Sequence, residues 1–245
     1  MSTLLHSVEV DFQTDFAIFS ALDTLEAPVD RGTFATAGEG WVIASTGTKY
    51  ARVHAVAERW SAAPPAATGW EDTDELPFCA TTGSLRLGGF DEFSDPLNLD
   101  GFGWGRVQVC ARGRHRYHYS SWVDVDAMPP EEWLLRFFPV LGEPDPLAGP
   151  PRILGGAVDP HDEVRLLAND LQAAAHVVSD AGLTTTFERL AERLAARLEA
   201  VGAALTELVM SGRAHIEFVS GRDTLAPDEP FVLRAQRPQG LLVLP

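Results

Sequence analysis

Residues 105–119 read GRVQVCARGRHRYHY, and the fold class turns on how their period-two pattern is completed. Val107, Val109 and Ala111 alternate with Arg106, Gln108, Cys110 and Arg112, as in a strand with one buried face. After Gly113 the alternation resumes, with His115, Tyr117 and Tyr119 against Arg114, Arg116 and His118. Glycine tolerates the positive φ of a tight turn, so a β-hairpin is expected. A loop with an even number of residues would set Val109 opposite His118 and scatter apolar side chains over both faces. An odd loop, Arg112–Arg114, sets Val109 opposite Tyr117 and Val107 opposite Tyr119, keeping one face apolar. The other face then gathers Arg106, Arg112, Arg114, Arg116 and His118, with no acid between residues 106 and 122.

Outward from this stretch, short strands are expected at residues 4–12, 15–18, 40–45 (GWVIAS), 49–60, 84–87 and 133–138. Residues 61–78, with Pro64-Pro65, Gly69 and the acids Glu71, Asp72, Asp74 and Glu75, read as a loop, as do residues 88–105. Many short strands with turn signals and no convincing helix point to a sandwich or partly open barrel. Pro144, Pro146, Pro150, Pro151 and Pro160 then mark a linker or an extended strap.

Beyond it the period changes. Val164, Leu167, Leu171, Ala174 and Val178 form one helical stripe, closed by Gly182. Thr185 and Glu188 form a capping box for a second helix of about 27 residues, carrying Phe187, Leu190, Leu194, Leu198, Val201, Leu205 and Leu208. Residues 214–219, 231–234 and 241–244 read as short strands. The expected fold is therefore α+β. An antiparallel β-sandwich fills residues 1–140, a Pro/Gly-rich linker residues 141–160, and an antiparallel αα-hairpin with short C-terminal strands residues 161–245. The second stripe outlasts the first. Its surplus, Val201, Leu205 and Leu208, is either intramolecular core or a surface for self-association, and a homo-oligomer through this helix is the sharper expectation.

Composition narrows the function classes. The net charge is −16, and residues 1–105 carry 16 acids against 5 bases. Such a chain lacks the basic footprint that nucleic acid needs, so direct nucleic-acid binding is not expected. No apolar run approaches a membrane span, the N-terminal MSTLLHSVEVDF lacks signal-peptide features, and the two cysteines, Cys79 and Cys110, fit a reducing compartment. A cytoplasmic protein is the expectation.

Sites for small-molecule chemistry fail on spacing. Residues 95–101 (DPLNLDG) resemble a calcium loop, but Pro96 stands where the first ligand belongs and Val107 where a glutamate should close it. His115 and His118 point to opposite faces of a strand, which excludes a zinc pair. Nucleotide and nucleophile motifs are absent from the sequence, and no base is assigned to Ser120 or Ser121. No catalytic residue, metal or cofactor is assigned. What remains is the basic hairpin face, Arg106, Arg112, Arg114, Arg116 and His118, flanked by Trp104 and Trp122. Arginine beside aromatics is the composition of interaction hot spots. The bland alternative is a sheet surface whose arginines pair with acids of neighbouring strands.

Taken in order, GWVIAS, ARVHAVAERW, RVQVCARGRHRYHY and EEWLLRFFP resemble the ComJ-like family of competence proteins, inhibitors of a DNA-entry nuclease. The resemblance covers residues 4–154 and none of the helical part. It implies a β-sandwich that binds another protein, such as a nuclease or toxin, and does no chemistry itself. The expected function is protein–protein recognition, with inhibition or immunity against a nuclease-like partner as its specific form. The alternative is a small-molecule enzyme or ligand-binding domain using the sandwich interior.

Overall fold

The computed structural model describes residues 2–14, 18–23, 31–89, 92–116, 129–156, 158–177, 182–219 and 226–236. Two sheets face each other. The first comprises β1 (Leu4–Gln13), β5 (Arg52–Trp60), β6 (Asp72–Cys79), β9 (Trp104–Arg112) and β10 (Glu131–Pro139), in the order β1-β5-β10-β9-β6. The second comprises β2 (Ile18–Leu22), β3 (Ala35–Gly38), β4 (Trp41–Ser45), β7 (Ser84–Gly88) and β8 (Leu97–Asn98), in the order β3-β4-β2-β7-β8. Alternation explains the packing. Val53, Ala55 and Ala57 from β5, Val107, Val109 and Ala111 from β9, and Trp133, Leu135 and Phe137 from β10 all enter one buried cluster. Trp133 stacks on Phe34 at 5.4 Å and meets Phe19 edge-on at 4.9 Å. The architecture is α+β with a sandwich, no barrel closes among the described residues, and β10 runs parallel to β5, so the sandwich expected to be antiparallel is mixed.

The hairpin is completed by a different strand. β9 ends at Arg112, Gly113 takes φ +88°, and Arg114–Arg116 forms a single 3-10 turn. The next strand to pair antiparallel with β9 is β10, with Val107 opposite Phe137, Val109 opposite Leu135 and Ala111 opposite Trp133. The rule of apolar opposite apolar is obeyed, but over a longer and more hydrophobic partner than residues 115–119 could offer. Tyr117, Tyr119, His118 and Trp122 lie outside the described residues, as do most of the expected strand at 15–18 and the one at 241–244.

Two more expectations change, and a third narrows to one of its alternatives. Residues 72–78, read as loop, fall in β6, which runs antiparallel to β9 along its whole length. The Pro/Gly-rich segment is a strap as well as a connection: Ile153 bridges Thr73 through two 2.9 Å backbone bonds, while Leu147 and Arg152 are buried. The long second helix is divided. After α1 (Glu163–Val177) comes a strand, β11 (Leu183–Thr185), then α2 (Phe187–Arg193) and α3 (Leu198–Met210). Thr186 caps α2 through the Arg189 amide, and the break between the helices holds Ala195 at φ +49°. A residue with a Cβ does not continue a right-handed helix there.

β12 (Ala214–Phe218) and β13 (Phe231–Ala235) complete a small sheet in the order β11-β13-β12. Val201, Leu205 and Leu208 are buried in the second core with Leu167 and Leu171 of α1 and with Phe231 and Leu233 of β13. The surplus stripe is thus covered by the chain's own sheet and not left for self-association. On its far side α1 reaches β3 and β4, where Ala173 meets Trp41 and Ile43. Buried on both sides, α1 hides Asn169, Asp170 and Gln172 as well as its leucines.

Candidate functional site

β6 carries the residues that join the sandwich to the helices. Asp72, Asp74, Leu76 and Phe78 share one face by alternation; the last two join the sandwich core, while the two acids lie at the sheet edge, fully buried. Each acid is met by arginines from elsewhere. Asp74 lies 2.7 Å from Arg193 of α2 and 3.3 Å from Arg152 of the strap. Arg152 also reaches Asp170 of α1 at 2.9 Å and the Thr33 hydroxyl, which itself donates to Asp170 at 2.5 Å. Arg193 donates to the Glu75 carbonyl, and Arg106 of β9 pairs with the Glu75 carboxylate at 3.5 Å and donates to the Asp145 carbonyl at 2.8 Å. Burial pushes the Asp170 carboxyl above its ordinary range, with Arg152 and Thr33 working against that rise.

A second set centres on Asp72. Its carboxylate takes Arg114 at 3.1 Å, both oxygens lie 2.9 Å from His115 Nε2, and the Gly155 amide donates at 2.8 Å. Burial alone would raise this carboxyl; the His115 bond, Arg114 and Gly155 outweigh it and hold the group below its ordinary value. Arg114 spends its other nitrogens on the carbonyls of Ser45 (2.8 Å) and Thr33 (3.2 Å), with its guanidinium 4.8 Å over the Phe34 ring. His115 then faces a cleft of about 680 Å³ formed by the strap, the turn before α1 and the end of β4.

The expected basic face is therefore distributed over different environments. Arg106 and Arg112 do point to the outer side of β9, but Arg106 is buried against Glu75, and exposed Arg112 pairs with Glu132 and lies 5.3 Å over Trp70. Arg114 turns inward and is buried, which removes it from any exposed face. Arg116 is exposed and reaches the Pro130 carbonyl at 3.5 Å, and Trp104 is half-buried. His118 and Trp122 fall outside the described residues. The bland alternative, arginines paired with acids of neighbouring strands, describes Arg106 and Arg112. Sequence reading missed Asp72, Asp74, Arg152, Asp170 and Arg193. The one available signal was the alternation Asp72-Asp74-Leu76-Phe78, which places acids in line with core residues.

Among the described residues, no three His, Cys, Asp or Glu side chains are placed to hold a metal ion, and no helix is long and apolar enough to cross a membrane. No family model matches the chain, and no curated protein matches it. Two solved structures are similar over part of its length. ComJ of Bacillus subtilis, an inhibitor of the DNA-degrading activity of NucA, aligns at 10% identity with a TM-score of 0.40, covering 57% of this chain and 99% of that one. The protein of crocagin biosynthetic gene J aligns at 12% identity with a TM-score of 0.38, covering 55% and 97%.

Proposed function

We propose that this protein recognises a basic surface of another protein, as an inhibitor or immunity-type partner of a nuclease-like enzyme. One observation carries the reading: the positive charge is used internally. Among the described residues, eleven arginines stand within 4 Å of a carboxylate, four of them buried where the strap and helices meet the sandwich. A chain of net charge −16 therefore turns mostly acids toward solvent, among them Glu9, Asp11, Glu39, Glu71, Glu92, Asp95 and Asp100. Such a surface repels phosphate and attracts the basic groove with which a nuclease holds DNA, and complementary fields of this kind chiefly speed association. The resemblance of the strand–turn pattern to the ComJ-like family suggests the same kind of partner.

The test is inhibition of DNA cleavage by a purified non-specific bacterial nuclease of the NucA type. Slower cleavage at low ionic strength, with potency falling steeply as salt is added, is the expected result. Unchanged cleavage at tens of micromolar protein in low salt would defeat the reading.

A further inference from the structure

The cleft beside His115 carries a reading independent of any protein partner. At about 680 Å³ it has the size of small-molecule sites. Leu154, Val158, Pro160 and Leu166 supply apolar wall. The polar centre is His115, whose side chain is 31% exposed and whose Nε2 faces both oxygens of Asp72 at 2.9 Å. In the neutral ring, a carboxylate in that position holds the proton on Nε2 and leaves Nδ1 as the acceptor. Gly156 sits against Nδ1. A Cβ there would come within 2.3 Å of that nitrogen, so a side chain at this position would crowd the ring.

Charge around the cleft selects further. The Arg114 guanidinium is turned away, its nitrogens committed to Ser45, Asp72 and Thr33. Asp159 and Asp162 stand on the wall formed by the turn before α1, with Asp162 paired to Arg165. We propose that this cleft binds a neutral or cationic small molecule with an apolar body and a hydrogen-bond donor, which His115 Nδ1 accepts. The ligand's donor reaches the ring nitrogen while its body covers Leu154 and Leu166. Arg31 also lines the cleft, so the sign of the ligand's charge is put directly to the test.

The experiment uses the full chain, labelled for imidazole NMR, and two probes that share an indole body: tryptamine, with a cationic donor head, and indole-3-acetate, with an anionic one. His115 is expected as the Nε2-protonated tautomer. Tryptamine should shift its signals saturably, with indole-3-acetate at least tenfold weaker. Val158→Trp, which fills the cleft without touching the bond to Asp72, should abolish the tryptamine shifts and leave the tautomer unchanged. His115→Phe should weaken tryptamine about tenfold; if that variant does not fold, Val158→Trp decides. Equal or tighter binding of indole-3-acetate, no saturable shift with tryptamine, or a proton on Nδ1 would overturn the proposal.

Discussion

Arg152→Met isolates the keystone of the junction. The Arg152 side chain is 1% exposed and bridges two buried carboxylates, Asp74 at 3.3 Å and Asp170 at 2.9 Å. Methionine keeps much of the apolar stem and removes the charge. Deleting one partner of a buried pair costs about 3–5 kcal/mol, because the other charge is left without compensation. Two carboxylates lose a partner here, but the cost is not doubled. Asp74 retains Arg193 at 2.7 Å, whereas among the described residues Asp170 keeps only the hydroxyl and amide of Thr33. The burden falls on Asp170, and a loss of about 3–5 kcal/mol is expected, equivalent to about 6–20 °C in Tm for a chain of this size. Adding Asp170→Asn should recover at least half of it, since the uncompensated charge is then gone. The pH dependence has a definite sign. The Asp170 carboxyl is already raised, and without Arg152 it rises further. A native state that holds a proton more tightly than the unfolded chain loses stability as pH climbs between the two values. The deficit of the variant should therefore be smaller at about pH 5 than at about pH 7.5. Urea unfolding followed by far-UV dichroism and tryptophan emission measures all three quantities. A loss below ~1 kcal/mol with unchanged pH dependence would refute the reasoning.

The remaining predictions are shorter. Arg114→Glu should abolish folding, because it sets a second carboxylate against buried Asp72, while Arg116→Glu, at an exposed position, should change stability by no more than about 0.5 kcal/mol; thermal melts of the two variants separate them. Leu205→Glu, at a residue 1% exposed in the second core, should cost more than ~4 kcal/mol and unfold the protein rather than alter its association state, as dichroism with sedimentation will distinguish. Burial pushes the Cys110 thiol up to about 12, so Ellman's reagent should leave it untouched in the native protein and titrate it fully in denaturant. Rapid native modification of Cys110 would show its strand to be open to solvent.

The strands that line the sandwich were legible because their period-two patterns coincide with burial. Val53, Ala55 and Ala57 alternate, as do Val107, Val109 and Ala111, and the structure uses both sets as their spacing implies. What could not be read was which strand completes the pattern of β9. Residues 115–119 and β10 both satisfy the alternation, and only the larger apolar area of Trp133, Leu135 and Phe137 separates them. β6 was hidden for a different reason. Asp72 and Asp74 look like loop residues until arginines far along the chain neutralise them, and no local pattern carries that information. The candidate site suffered in the same way. Arg106 and Arg112 point outward as alternation requires, whereas Arg114 follows Gly113 into the interior, where Asp72 waits. The divided second helix is a matter of one backbone conformation, at Ala195, that a continuous leucine stripe conceals.

Asp74 of β6 also sets an order of events during synthesis. Arg193, which pairs with Asp74, donates to the Glu75 carbonyl from 118 residues further along the chain. At about 5–20 residues per second a ribosome needs roughly 6–24 s to make that interval. Until Arg152 of the strap and then Arg193 of α2 are made, the edge strand of the nascent sandwich presents the Asp74 carboxylate, which the finished protein keeps dry. An edge so charged is hard to extend with a strand from a neighbouring chain. The acid that finally docks α2 thus shields the half-made sheet from pairing with another nascent copy until the arginines arrive.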